Sequence, residues 1–320
     1  MRIKIMVKFI IRLCLFLSPL IVVLGLLEYK LTYLPNSYLY KKSQLEKKLK
    51  QTEVLIVGNS HAYYGINPSP WPVSGFNLAN VSQSLYYDAQ LVDIYKNLLP
   101  KLKLVIISIE YLSLEYQMKN TNFEWREFFY KHYWKITSFS FSPLDLRNYS
   151  LMAIYTPTTV LKFATQLFQV NLIEGINEDG WFKSESLISN PSEPQALKRV
   201  QFHHSLMNKN QINENINILR HLMDELKKKN IQVVLVSLPV TTSYSQLMDS
   251  EKLLRLGQGV RALQSEYPIK HYNYMNDSRF SLDDFGDYDH LNATGAAKFS
   301  KIFYQDAIEP VVDRTLTTSE

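Results

Sequence analysis

Apolar positions fall into three kinds of run along the 320 residues, and each kind predicts a different element. Residues 9–27 are apolar apart from Arg12, Ser18 and a few small side chains. A helix needs about 20 residues to cross the hydrocarbon core, so this stretch predicts a membrane span, with Arg12 snorkelling to the headgroups. Short unbroken runs at 53–58, 104–109 and 231–237 predict strands buried on both faces, as in a parallel sheet. Weaker strands are predicted at 76–79 and 271–274. Between them, Leu85, Ala89, Val92, Tyr95 and Leu99 recur at helical spacing before Pro100. So do Ile212, Ile216, Leu219, Leu222 and Leu226, with Lys227–Lys229 in the last turn, where the helix dipole favours them. Residues 294–303 predict a terminal helix. Strands alternating with helices predict an α/β domain with a doubly wound, mostly parallel five-stranded sheet. Ligands bind such sheets at the carboxyl ends of the strands.

This pattern divides the chain into an N-terminal signal anchor (1–30), a basic stalk (31–51), a globular domain (52–310) and a disordered tail (311–320). The stalk takes its character from Lys41, Lys42, Lys47, Lys48 and Lys50, read as a solvated face. The strand–helix rhythm breaks at 111–210, an insertion rich in aromatic residues that include Tyr111, Tyr116, Phe123, Trp125, Phe128, Phe129, Tyr130 and Trp134, followed by Asp179-Gly180-Trp181. It is expected to be helical. A cap with its own small core, a lid over a cleft for acyl donor or glycan, and a membrane-facing surface are all open to it.

Charge narrows the function classes. The net charge of +5 divides into +8 over residues 1–50 (ten Lys/Arg, two Asp/Glu) and −3 over the rest (25 against 28). The domain thus lacks the basic footprint of a nucleic-acid binder. Arg2, Lys4, Lys8 and Arg12 precede the apolar stretch and only Lys30 closely follows it. That bias predicts a single-pass protein with its amino terminus in the cytoplasm and its domain outside. A cleaved signal peptide is the alternative, although Glu28-Tyr29-Lys30 offers no small-x-small site. The single cysteine, Cys14, permits no internal disulfide and no thiolate metal site, and Arg12-Leu13 before it is not a lipobox. His132, His203, His204, His221 and His271 show no ligand spacing, so no metal or other cofactor is expected.

Two segments carry candidate chemistry. Ser60, in Gly58-Asn59-Ser60-His61, falls just past the first strand, where a nucleophile would be presented near helix-start N–H groups. A helix cap is the plainer reading of such a serine. Asp287-Tyr288-Asp289-His290-Leu291-Asn292 follows the last strand. An Asp three residues before a His can hold Nδ1–H and leave Nε2 free to take a proton from serine. Asp289 competes for that role, but as the direct neighbour of His290 it is expected to project elsewhere.

Gly-x-Ser near the start and Asp-x-x-His-Leu near the end resemble blocks I and V of the SGNH (GDSL-like) hydrolases, over residues 53–110 and 210–305. Gly-Asn-Ser-His with Tyr63-Tyr64-Gly65-Ile66-Asn67-Pro68, and the later Asp-His-Leu-Asn-x-x-Gly-Ala, are similar to an anchored extracytoplasmic branch that includes teichoic acid D-alanylation and alginate O-acetylation proteins. The resemblance implies a flavodoxin-like fold and a triad of nucleophile Ser60, base His290 and orienting Asp287. It also implies an esterase or O-acyltransferase acting on the acyl group, acetyl by expectation, of a cell-surface or secreted polysaccharide. Its partners would be an acyl donor, a polysaccharide acceptor and a membrane-bound acyl-transfer protein. Two departures stand out: Asn59 replaces the usual Asp, and Glu110-Tyr111 replaces the Gly-x-Asn that supplies an oxyanion donor. The expected donors are then the Ser60 N–H and the turn after the second strand, through the Ser82 N–H or the side chains of Asn80 and Gln83. His61 and Asn59 are candidate substrate contacts. A non-catalytic, anchored glycan-binding or assembly protein on the same scaffold is the rival reading.

Overall fold

The computed structural model describes residues 2–139, 141–165, 175–188 and 191–311. The helices are α1 (Arg2–Leu31), α2 (Ser37–Lys47), α3 (Ser60–Gly65), α4 (Leu85–Tyr95), α5 (Glu127–Trp134), α6 (Pro157–Thr165), α7 (Glu193–Leu206), α8 (Ile212–Lys228), α9 (Thr242–Ser245), α10 (Ser250–Glu266) and α11 (Ala293–Phe303). The strands are β1 (Val54–Val57), β2 (Gly75–Asn77), β3 (Leu104–Ser108), β4 (Gln232–Ser237) and β5 (Lys270–Asn273). They form one parallel sheet in the order β2-β1-β3-β4-β5, the α/β architecture that the apolar runs predict.

Alternate side chains of β1, β3 and β4 enter different cores, which is why those runs are unbroken. Leu55, Val57, Val105, Ile107, Val233 and Leu235 pack with Leu91 and Val92 of α4 and Leu219 and Leu222 of α8. Val54, Ile56, Leu104, Ile106, Val234 and Val236 pack with Ala62 and Tyr63 of α3 and Phe299 and Phe303 of α11. α10 escapes the sequence reading although Leu256, Val260 and Leu263 give it a buried face; its Asp249 cap accepts from the Lys252 N–H.

Residues 31–51 are not a solvated stalk. Asn36 caps α2 by accepting from the Leu39 N–H (2.9 Å), and Tyr38, Lys41 and Leu45 are buried. These three stand at i, i+3 and i+7, one helical face, and the lysine at its centre disguises the stripe as part of a basic run. Tyr38 stacks on Phe129 with ring centroids 5.0 Å apart. The Lys41 amine donates to the Ala79 carbonyl and lies 4.4 Å from the Tyr63 ring centroid, while Lys48 pairs with Asp179 at 2.5 Å.

α1 is long and apolar enough to cross a membrane. The apolar stretch 9–27, at 1.5 Å per residue, is about 29 Å long, close to the thickness of the hydrocarbon core. The next residue, Glu28, accepts from Ser150 Oγ (2.7 Å), the Leu151 N–H (2.5 Å) and the Met152 N–H (3.3 Å).

Among its described residues, the insertion shares its apolar packing with the rest of the domain: Ala196 and Val200 pack with Val240, Tyr244 and Tyr288. Phe129, Tyr130, Trp134, Ile136 and Leu151 join the first cluster, with Tyr87 stacked on Tyr130 at 4.2 Å. Its later part is a strap along one side of the domain. The Asn77 N–H donates to the Asp179 carbonyl (2.8 Å), and at Gly180 (φ +83°) a Cβ would lie 2.2 Å from the Asn77 carbonyl oxygen, so only glycine fits. Trp181 Nε1 donates to the Tyr64 carbonyl (2.6 Å) and the Ala293 N–H to the Ser184 carbonyl (2.8 Å). The strap thereby ties α3 to the start of α11. Of the expected tail, residues 312–320 lie outside the described residues.

Candidate active site

β1 ends at Val57 against β3, and Gly58 turns the chain with φ +146°. A Cβ there would stand 2.4 Å from Ser108 Cβ, so the turn can pass this close to β3 only as glycine. Asn59 caps α3, its Oδ1 accepting from the His61 N–H (3.0 Å), and Ser60 becomes the first helical residue at the carboxyl edge. On the far side of the sequence, Asp287 Oδ1 accepts from the backbone N–H groups of Asp289 (3.0 Å) and His290 (2.9 Å). That tight turn, closed by Gly286 N–H to the His290 carbonyl (2.9 Å), aims the imidazole back at α3.

The two segments meet. His290 Nε2 lies 2.7 Å from Ser60 Oγ, and His290 Nδ1 lies 2.9 and 3.1 Å from the two Asp287 oxygens. An ionised carboxylate only accepts, so the hydrogen-bond network assigns the imidazole hydrogen to Nδ1. Nε2 then accepts the Ser60 hydroxyl proton. Burial alone would lower the pKa of His290, but the charge of Asp289 and the hydrogen bond that His290 donates to Asp287 outweigh it, and the pKa is raised.

Asp289 faces a polar cluster the sequence gives no hint of, with its Oδ2 also 3.6 Å from His290 Nε2. Its carboxylate is fully buried and held by Arg199 Nε (2.5 Å) and Nη2 (2.9 Å) from α7. His61 Nε2, His203 Nε2 and His290 Nε2 stand 3.5, 3.6 and 3.6 Å from its Oδ2. Burial works against ionisation of Asp289, yet the surrounding His290, Arg199 and His203 keep its pKa well below the usual range. His203, whose Nδ1 meets the Tyr244 hydroxyl, is pushed down to about 4, chiefly by burial. Arg199 and His203 come from the insertion, far in sequence from both motifs (Arg199 is 90 residues from Asp289), and no local pattern marks them.

The candidate oxyanion residues separate. Ser82 lines the cavity with φ +58°, a left-handed geometry that costs a non-glycine residue energy and recurs at functional turns. Its carbonyl accepts from the Tyr116 hydroxyl (3.0 Å). Among the described residues, the N–H groups of Ser60 and Ser82 donate to no protein acceptor. The side chains of Asn80 and Gln83 are engaged elsewhere, which corrects their candidacy. Asn80 bonds Ser37 Oγ and the Val81 N–H, while Gln83 donates to Asp88 (2.6 Å) and accepts from Tyr130 (2.7 Å). Glu110 lies beneath the site rather than in it. Its Oε1 accepts from Ser108 Oγ (2.8 Å) and the Leu238 N–H (3.2 Å), and burial pushes its carboxyl up to about 8.

Ser60 opens onto a cavity of about 530 Å³ walled by Asn59, Ser82, Tyr116, Phe123, Phe182 and Phe202 among others. Asn59 and His61 both reach this wall; His61 Nδ1 also contacts Asn59 Oδ1 (3.1 Å). Among the described residues, His61, Asp289 and His290 form the one set of side chains close enough to share a metal ion. Arg199 already neutralises that carboxylate and His290 Nε2 already faces Ser60, so the donor set does not suit a cation.

No protein-family model and no curated protein matches this chain. Among solved structures, 91% of it aligns with 98% of a Streptococcus pneumonia chain provisionally described as a platelet activating factor (12% identity, TM-score 0.40). A Bacteroides fragilis protein provisionally described as an acylhydrolase aligns over 83% of this chain and 93% of its own (12%, 0.38). A GDSL-like lipase from Bacteroides thetaiotaomicron aligns over 86% and 99% (12%, 0.39). At such identity none of them assigns a role to a residue of this chain.

Proposed function

We propose that this protein is a membrane-anchored serine esterase or O-acyltransferase of the SGNH type, with Ser60 as nucleophile, His290 as base and Asp287 as its orienting acid. The observation that carries the reading is the continuous relay of 2.7 Å from Ser60 to His290 and 2.9 Å from His290 to Asp287. Ser60 Oγ attacks an ester carbonyl as its proton passes to His290 Nε2, and Asp287 steadies the imidazolium. The N–H groups of Ser60 and Ser82 receive the oxyanion; each such donor is worth roughly 2.7–4 kcal/mol in the transition state. Collapse expels the alcohol, which takes the proton from His290, and leaves Ser60 acylated. Water, or a sugar hydroxyl deprotonated by the same imidazole, then resolves the acyl-enzyme.

The aromatic and hydroxyl-bearing wall of the cavity suits an acetylated sugar, and the charge bias around α1 favours a domain outside the cytoplasm. The substrate in this reading is an acyl group on a cell-surface or secreted polysaccharide, passed on by a membrane-bound acyl-transfer partner. Labelling of the full chain by a fluorophosphonate tests the nucleophile. Labelling is expected at Ser60 and lost in Ser60→Ala; equal labelling of both proteins, or of neither, returns the chain to a glycan-binding role. Acetate release from p-nitrophenyl acetate, with and without an oligosaccharide acceptor, then separates hydrolysis from transfer.

A further inference from the structure

The insertion carries a second apolar feature that the cavity does not use. Residues 141–149 expose Phe141 and Tyr149, together with Leu144 (90% exposed) and Leu146 (72%). Single exposed leucines are ordinary on soluble proteins. Here two leucines and two aromatics fall within nine residues, on a loop whose next residues are bound to α1. Ser150, Leu151 and Met152 all donate to Glu28, the first charged residue after the apolar stretch. The loop is therefore pinned at the polar boundary of the candidate membrane helix. Tyr29 and Tyr33 are exposed at the same level, their hydroxyls 3.0 Å apart. Lys131 completes the face, its ammonium 4.3 Å from the Phe141 ring centroid and 5.6 Å from that of Tyr149. Apolar prongs, a layer of tyrosines and a lysine follow the order of environments met on leaving a bilayer.

We infer that residues 141–149 are a second, monotopic contact with the bilayer that α1 spans, an inference that rests on reading α1 as a membrane helix. Leu144 and Leu146 enter the acyl boundary; Phe141, Tyr149, Tyr29 and Tyr33 occupy the headgroup layer; Lys131 faces anionic headgroups. The occupant is lipid because the face continues directly from the helix. Two attachments, unlike one, fix how the domain sits on the membrane. They also hold the cavity near it. Ser37, which bonds Asn80 beside the cavity turn, follows Leu31 by six residues, at most about 20 Å of extended chain.

The test uses the full chain in nanodiscs of phosphatidylcholine and phosphatidylglycerol, with the environment-sensitive fluorophore NBD on single cysteines. The native Cys14 reports on α1. Leu144→Cys and Leu146→Cys, each in a Cys14→Ser background, report on the face, and Gln264→Cys on α10 serves as the aqueous reference. Doxyl-labelled lipid is expected to quench the probes at 14, 144 and 146 at least two-fold and to spare 264. Quenching at 14 but not at 144 or 146 overturns the surface contact and leaves the anchor standing. No quenching at any of the three overturns the anchor and the contact together. Blue-shifted emission at 144 and 146 without quenching places a protein, not lipid, on the face and also overturns the inference.

Discussion

The carboxyl edge of the sheet and the insertion between β3 and β4 wall the same cavity, but they build it differently. At the sheet edge, each reactive group sits within a few residues of a strand or helix end whose position the parallel register dictates: Ser60 opens α3 and His290 closes a four-residue turn before α11. The insertion instead supplies Arg199 and His203 from a helix, and Tyr116 and Phe123 from irregular backbone. His290 records the difference in its two carboxylates. Asp287, from the edge, is half exposed and hydrogen-bonded to the ring; Asp289 is fully buried, and its charge is held by His290 together with Arg199 and His203 from the insertion. In the proposed mechanism one region bears the chemistry, and the other helps keep a buried charge beside it stable.

The largest effects should come from the edge. Ser60→Ala and His290→Ala should each lower kcat by about 10⁴-fold or more while leaving circular dichroism unchanged. Asp287→Asn should cost about 10³-fold, less than a buried orienting acid would, because water reaches this carboxylate. Loss of folding along with activity in these variants would erase the distinction between the regions. Arg199→Met should act the other way round, destabilising the chain by about 3–5 kcal/mol in denaturant titration, since it strands a buried carboxylate.

The next test follows the proton. His290 must be neutral to act as base, and its folded-state pKa is raised, so kcat/KM should climb with pH along a limb centred above the usual histidine value of about 6.5. The double variant Arg199→Met/Asp289→Leu should recover most of the stability lost by Arg199→Met, because neither charge is left alone. Removing the Asp289 charge outweighs removing the opposing Arg199 charge, so that limb should move toward acid. A limb that stays in place would mean that Asp287 alone sets the imidazole's basicity. The smallest effect is expected from Phe123→Ala, a rise in KM of roughly 3–10-fold at unchanged kcat, measured with an aryl ester.

How much of this was legible in the sequence follows from the same contrast. The strands could be read because burial on both faces leaves unbroken apolar runs, and Asp287 and His290 because their contact is three residues long. The pairing of Asp289 with Arg199 could not be read, since ninety residues separate them and Arg199 lies in no motif. α2 was concealed by its own composition: a lysine count averages over the helix, whereas burial depends on which face each lysine occupies. For Asn80 and Gln83 the reading found a turn that reaches the cavity, but not that neighbouring side chains already engage both amides.

Lys41 gives that concealed helix a chemical consequence. Burial holds its amine well below the ordinary lysine range, with a carbonyl oxygen and an aromatic ring as its company in place of a counter-ion. Seating α2 therefore favours shedding a proton. Because the folded-state pKa is lowered, protonation works against the seated arrangement, and stability from this joint grows as pH rises from the folded value toward the free-lysine value of about 10.4. Protonation of Lys41 thus works against the seating of α2, the helix between the candidate membrane span and the turn that holds Ser82.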